Sequence, residues 1–142
     1  MTLAPQFIHL HTHSEFSLGD GSIKVDSLIK RVKGFGHEAV AVTDHHNLFT
    51  AVDFYLKAKA QGVKPIIGAE VALTSKLSDT AVQYVLLAKT TAGYKDLMRI
   101  VSHINTPEKT LYVDDLRSHF ENMFVIPSQH QGLVQTLSLI HI

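Results

Sequence analysis

Residues Phe7-Ile8-His9-Leu10-His11-Thr12-His13-Ser14, answered by Thr43-Asp44-His45, decide how this chain is read. Three histidines alternate with other residues, and the side chains of an extended strand point alternately to its two faces. If the stretch is extended, His9, His11 and His13 share one side. Clustered imidazoles repel when charged and gain little from packing together. Neutral rings that each present one nitrogen suit metal ligation. A single histidine is an ordinary feature of a solvent-facing strand edge. Three in alternation, followed by Asp20, His45 and Glu70, point to a metal site.

The rest of the chain reads as the scaffold of that site. Short apolar runs alternate with stretches of helical period, as in strand–helix units around a mainly parallel sheet. Phe7 to His11 is the first expected strand. Val25, Leu28, Ile29 and Val32 recur at helical spacing after the Gly19-Asp20-Gly21 turn and predict a helix that ends near Gly34 and Gly36. Ala39 to Thr43 is continuously apolar, as buried parallel strands are. A second helix carries Leu48, Ala51, Val52, Tyr55 and Ala58. A third strand opens at Pro65 and runs through Glu70 to about Leu73.

Further along, Ser75 to Thr80 is expected as a polar loop and Gln83 to Lys89 as a fourth strand. Tyr94, Leu97, Met98 and Val101 predict a third helix. Asn105 to Lys109 is a loop, Val113, Leu116 and Phe120 suggest a short helix, and Met123 to Ile126 a fifth strand stopped by Pro127. His11 to Asp20, Asp44-His45 and Glu70 then each fall at or just past the C-terminal end of a strand. That rim carries the active-site loops of parallel strand–helix folds.

Composition narrows the function classes. The chain has 142 residues, enough for one domain with a core. With 45% hydrophobic and 18% charged residues it has the make-up of an ordinary globular protein. The formal net charge is zero, so no global charge favours nucleic acid. The absence of cysteine excludes disulfides, thiolate zinc sites and a cysteine nucleophile. Ten histidines are the one compositional anomaly. Met1 to Gln6 lacks the basic start and apolar run of a signal peptide, and no apolar stretch reaches transmembrane length. We expect a cytoplasmic protein without a membrane partner.

These stretches carry a family resemblance. His9-Leu10-His11-Thr12-His13-Ser14-Glu15-Phe16-Ser17 with Asp20-Gly21, Ala41-Val42-Thr43-Asp44-His45 with Asn47-Leu48-Phe49, and Ala51-Val52-Asp53-Phe54-Tyr55 stand in order. Lys64-Pro65-Ile66-Ile67-Gly68-Ala69-Glu70, Leu86-Leu87-Ala88-Lys89 and Gly93-Tyr94-Lys95-Asp96-Leu97 follow. Over Phe7 to about Ser102 the chain resembles the PHP (polymerase and histidinol phosphatase) family. Within it, the chain looks like the branch at the N-terminus of bacterial replicative DNA polymerase alpha subunits.

The resemblance implies an α/β fold, a partial distorted (β/α) barrel with parallel strands and flanking helices. Its rim would bind two or three divalent metals, zinc, manganese or iron, for phosphoester hydrolysis or 3′–5′ exonuclease action. By position it implies His11, His13, Asp20, His45 and Glu70 as metal ligands, Glu70 as a carboxylate bridging two metals, and Asp44 as a supporting group behind them. His9, His46 and His130 rank lower. A polymerase parent would extend DNA with magnesium in a catalytic part lying elsewhere. It would work beside other holoenzyme subunits such as the proofreading subunit and the sliding clamp. A free-standing metal-dependent phosphoesterase and a degenerate structural module are the alternatives.

Several residues depart from the family's pattern. Gln83 stands where relatives carry a histidine, and an amide oxygen is a poor zinc ligand. His46 replaces the usual glycine, and the family's late ligands, a further histidine and a terminal Asp-x-His, have no match. We therefore expect residues 1–136 to be the N-terminal part of a truncated PHP domain and Leu137 to Ile142 a non-native tail. His37, His103 and His119 read as solvated or helix-end residues, the Lys30-Arg31 pair as a solvated helix face, and Phe49 and Tyr94 as packing residues.

Overall fold

In a computed structural model of the chain, residues 7–75, 78–107, 111–119 and 121–128 are described. Helix α1 (Val25–Gly34), strand β1 (Ala39–His45), helix α2 (Ala51–Ala60), strands β2 (Lys64–Ser75) and β3 (Ser78–Ala88), helix α3 (Thr91–Ile104) and strand β4 (Met123–Pro127) follow in order. A 3₁₀ helix, Val113–His119, precedes β4. His130, Phe120 and the expected tail lie outside the described residues. No helix among the described residues is long and apolar enough to cross a membrane.

Helix α1 buries Val25, Leu28, Ile29 and Val32, the stripe its spacing predicts. Asp26 in its first turn and Arg31 and Lys33 in its last complement the helix dipole. It stops because Gly36 adopts a left-handed conformation (φ 72°), which returns the His37 N–H to the Val32 carbonyl.

The sheet has the order β1-β2-β3-β4. Strands β1 and β2 run parallel, with His45 opposite Glu70. The expectation of parallel strands holds for this pair alone: β2–β3 and β3–β4 are antiparallel. The reason lies in the connection. Ser75 pairs with Ser78, so β2 and β3 form a hairpin and most of the loop expected at Ser75 to Thr80 is strand. A parallel partner would have needed a crossover of a dozen or more residues.

Two clusters pack helices on one face of the sheet. Val40 and Val42 meet α1 and α2 through Ile29, Val32, Phe54 and Ala58. Val71, Leu73, Val82, Tyr84 and Leu86 meet Leu97, Ile100 and Ile104 of α3. Burying a side chain of this kind contributes roughly 1.5–3 kcal/mol. The residues between them in sequence turn the other way, where Ala41, Val85 and Leu87 join Ile66 and Ile126 in a smaller cluster. By the two-residue period, Glu70 lies on that second face with Ile66.

The first expected strand is not regular. One parallel bridge joins His9 to Val40. The Ala41 N–H then donates to the His9 carbonyl, but the Thr43 N–H donates to that of Thr12. Three steps of the N-terminal segment thus match two of β1, a bulge that shifts the alternation by one residue. The prediction that His9, His11 and His13 share one side fails for this reason.

Candidate metal centre

Three chain segments meet at Glu70. Its buried Oε2 lies 3.2 Å from His11 Nε2, 2.8 Å from His13 Nε2 and 3.2 Å from His45 Nδ1. The two nitrogens Nε2 of His11 and His13 are themselves 3.2 Å apart. Ligand atoms of His11, His13 and Glu70 all fall within 4.8 Å of one another. Two imidazole nitrogens and a carboxylate in that compass form a donor set that suits zinc, manganese or iron.

His45 reaches two carboxylates, since its Nε2 lies 2.9 Å from Asp20 Oδ2. Asp20 is brought there by the turn before Gly21, where a Cβ would collide with the Ser14 carbonyl. Only glycine fits that approach.

Asp44 does not touch the metal-type donors. It is buried, and its carboxylate accepts from the Ser14 N–H at 2.6 Å and the hydroxyls of Ser14 (2.7 Å), Ser17 (2.8 Å) and Thr50 (2.9 Å). Ser17 Oγ in turn accepts the His45 N–H at 3.1 Å. The carboxylate therefore fastens the histidine-bearing loop and the start of α2 to the end of β1. This role through Ser14, Ser17 and Thr50 was not read from the sequence, although the serines stand in the leading motif.

The remaining candidates part from the cluster. His9 packs its ring against Phe7 and His37, with centroids 4.7 and 5.7 Å away. His46 has a left-handed backbone (φ 52°), the conformation for which glycine is the usual choice. Its Nε2 accepts the Ala72 N–H at 3.1 Å, so the nitrogen expected as an extra ligand is engaged with β2. Gln83 pairs with Ala72 on the strand beside Glu70, and its Oε1 is shielded without a partner among the described residues. His119, expected as a solvated or helix-end residue, closes the 3₁₀ helix and pairs through Nδ1 with Asp96 Oδ2 at 3.0 Å.

Electrostatics follow from this packing. Burial pushes the Glu70 carboxyl up, but hydrogen bonding from His11, with the charge of His11 and His45, draws it down to about 2. Burial, then the neighbouring charge of His45, lowers His13. Burial and His45 likewise lower His46. The lowered His13 beside an ionised Glu70 is in the sense that metal ligation requires of an imidazole and a carboxylate.

An α/β sheet with an imidazole–carboxylate cluster on one face defines a domain with a candidate metal centre, and the comparisons give its family. A model of the PHP domain matches residues 9–141, and the chain belongs to that family. DNA polymerase III subunit alpha of Borreliella burgdorferi is 39% identical over 98% of this chain. The protein of that description in Vibrio cholerae is 48% identical over 69% of the chain. The chain spans 13% and 8% of the length of these two relatives.

Among solved structures, an amidohydrolase from Chromobacterium violaceum, with sulfate bound and no metal, superposes with a TM-score of 0.54 at 24% identity. That match covers 68% of this chain and 32% of the other. A protein from Bifidobacterium adolescentis described as a metal-dependent phosphoesterase gives 0.52 at 16% identity, over 83% of this chain and 52% of that one. Both likenesses speak to the fold.

Proposed function

We propose that the chain is a metal-dependent phosphoesterase domain, working as the N-terminal PHP domain of a bacterial replicative DNA polymerase and suited to 3′–5′ exonucleolytic hydrolysis. The single observation that carries this reading is Glu70 Oε2 among nitrogens of His11, His13 and His45. His11, His13 and Glu70 would hold a divalent ion. His45 and Asp20 extend the donor set toward a second. Zinc, manganese or iron in such a set supplies electrophilic stabilisation of phosphoryl charge and acidifies water.

The chain's own residues prepare for this. Glu70 stays ionised throughout the physiological range and holds the rings of His11, His13 and His45 around one oxygen. Asp20 fixes the outer nitrogen of His45, so that its inner nitrogen faces Glu70. Asp44 keeps the loop of His13 against β1 without entering the centre. Nucleotidyl transfer and its magnesium would belong to other parts of the polymerase. DNA, the proofreading subunit and the sliding clamp would be the partners, and the cytoplasm the compartment.

A structural module that has lost its chemistry is the second reading, favoured by Gln83 and its unpartnered Oε1. Hydrolysis of a single-stranded oligonucleotide by the purified chain separates the two. Cleavage that requires added zinc or manganese, stops with chelator and falls at least ~100-fold in Glu70→Gln is expected. Folded, metal-loaded protein that cleaves no phosphoester would contradict the first reading.

A further inference from the structure

Beside the metal centre lies an open cavity of about 600 Å³ whose wall includes Phe16, Leu18, His45, Asn47 and Phe49. Leu18 is 92% exposed, Phe49 76% and Phe16 43%. Phe49, expected to pack in the core or at the rim, therefore lies at the rim and not in the core. The two phenyl rings stand 6.4 Å apart at 67°.

The backbone turns that carry these rings are held in place. Buried Asn47 donates through Nδ2 to the Phe16 carbonyl at 3.0 Å and the His45 carbonyl at 2.9 Å. Its Oδ1 accepts the Phe49 N–H at 3.2 Å. One amide thus ties both aromatic-bearing turns to the residue that faces Glu70. Apolar area left in water forgoes roughly 25 cal/mol per Å², so an exposed aromatic pair on anchored turns gains by meeting an apolar or aromatic ligand.

We propose that Phe16 and Phe49 form a stacking platform for a nucleobase, the base of the nucleotide whose phosphate lies at the centre. This assignment rests on the phosphoesterase reading. The cavity wall carries no lysine or arginine among the described residues, so phosphate is left to the centre next door. The amide hydrogens of Asn47 are committed, and Asn105 Nδ2 donates to the carbonyls of His46 and Val101. What the cavity presents most prominently is exposed ring surface. The platform accordingly accepts any base by its π face and discriminates little among sequences.

The test is equilibrium binding of the zinc-loaded full chain to labelled single-stranded oligonucleotides that end in a nucleotide or in an abasic residue. The nucleotide end is expected to bind about tenfold more tightly, with the preference lost in Phe49→Ala and retained in Phe49→Trp. Phe49 is exposed, so circular dichroism of the variants should match the parent. Equal binding of both ends by the parent, or a preference unchanged in both Phe49→Ala and Phe16→Ala, would overturn the platform. A base preference without metal-dependent cleavage would overturn the phosphoesterase reading and leave the platform standing.

Discussion

Glu70 Oε2 stands 2.8 Å from His13 Nε2, although one residue belongs to the second strand of the sheet and the other to the irregular segment before the first helix. The pairing register that sets His45 opposite Glu70 and the bulge that redirects the N-terminal segment bring them together. Removing the charge should therefore remove the centre. Glu70→Gln is expected to weaken zinc binding by more than the 10–100-fold typical of losing an outer-shell partner. Titration against a competing chelator measures it.

Asp44 carries a different burden. Asp44→Ala leaves three hydroxyls and an N–H without their acceptor in a buried place. Breaking such a network costs about 3–5 kcal/mol, and denaturant unfolding should show a loss of that order. Metal affinity should fall with it, because Ser14 and Ser17 lose their anchor.

His46 presents two opposed effects of similar size. His46→Gly relieves a left-handed backbone worth about 1 kcal/mol and forfeits one hydrogen bond of about 1 kcal/mol. Stability should change by less than about 1 kcal/mol. Metal content should be unchanged, since the His46 nitrogen is engaged with Ala72. A loss of metal in the variant would show that His46 serves the centre after all.

Acid should act on the metal-free protein in two stages. His13 and His46 have lowered folded values, so the unfolded chain takes up protons first. Stability is full above about pH 6.5 and declines as pH falls through that value toward the folded ones. Glu70, also lowered, adds stability that is present above its ordinary value of 4.5 and is lost as pH falls toward about 2. Thermal denaturation across this range should show a first decline near neutrality and a second in strong acid.

Much of this was legible in the residues. The apolar stripe of α1 and the run of β1 follow from periodicity, and His11, His13, His45 and Glu70 are the pattern's own candidates. The hairpin was legible too, in the want of a helix between Leu73 and Gln83, but the expectation of alternating units overrode it. His9 was misplaced because a bulge is a matter of register with β1, which a single strand's alternation cannot report. The work of Asp44 lay hidden because its hydroxyl partners come from two separate places in the chain, the loop of Ser14 and Ser17 and the start of α2 at Thr50. Phe49 read as a packing residue because exposure depends on what the fold puts above it, and Phe16 drew no reading of its own.

Elemental analysis of metal tests the central claim most directly, made on the purified protein and on its His11→Ala, His13→Ala double variant. At least one zinc, manganese or iron ion per folded chain, absent from a double variant that still folds, is the expected result. Folded protein with no metal above background, or a double variant that retains the same content, would contradict it.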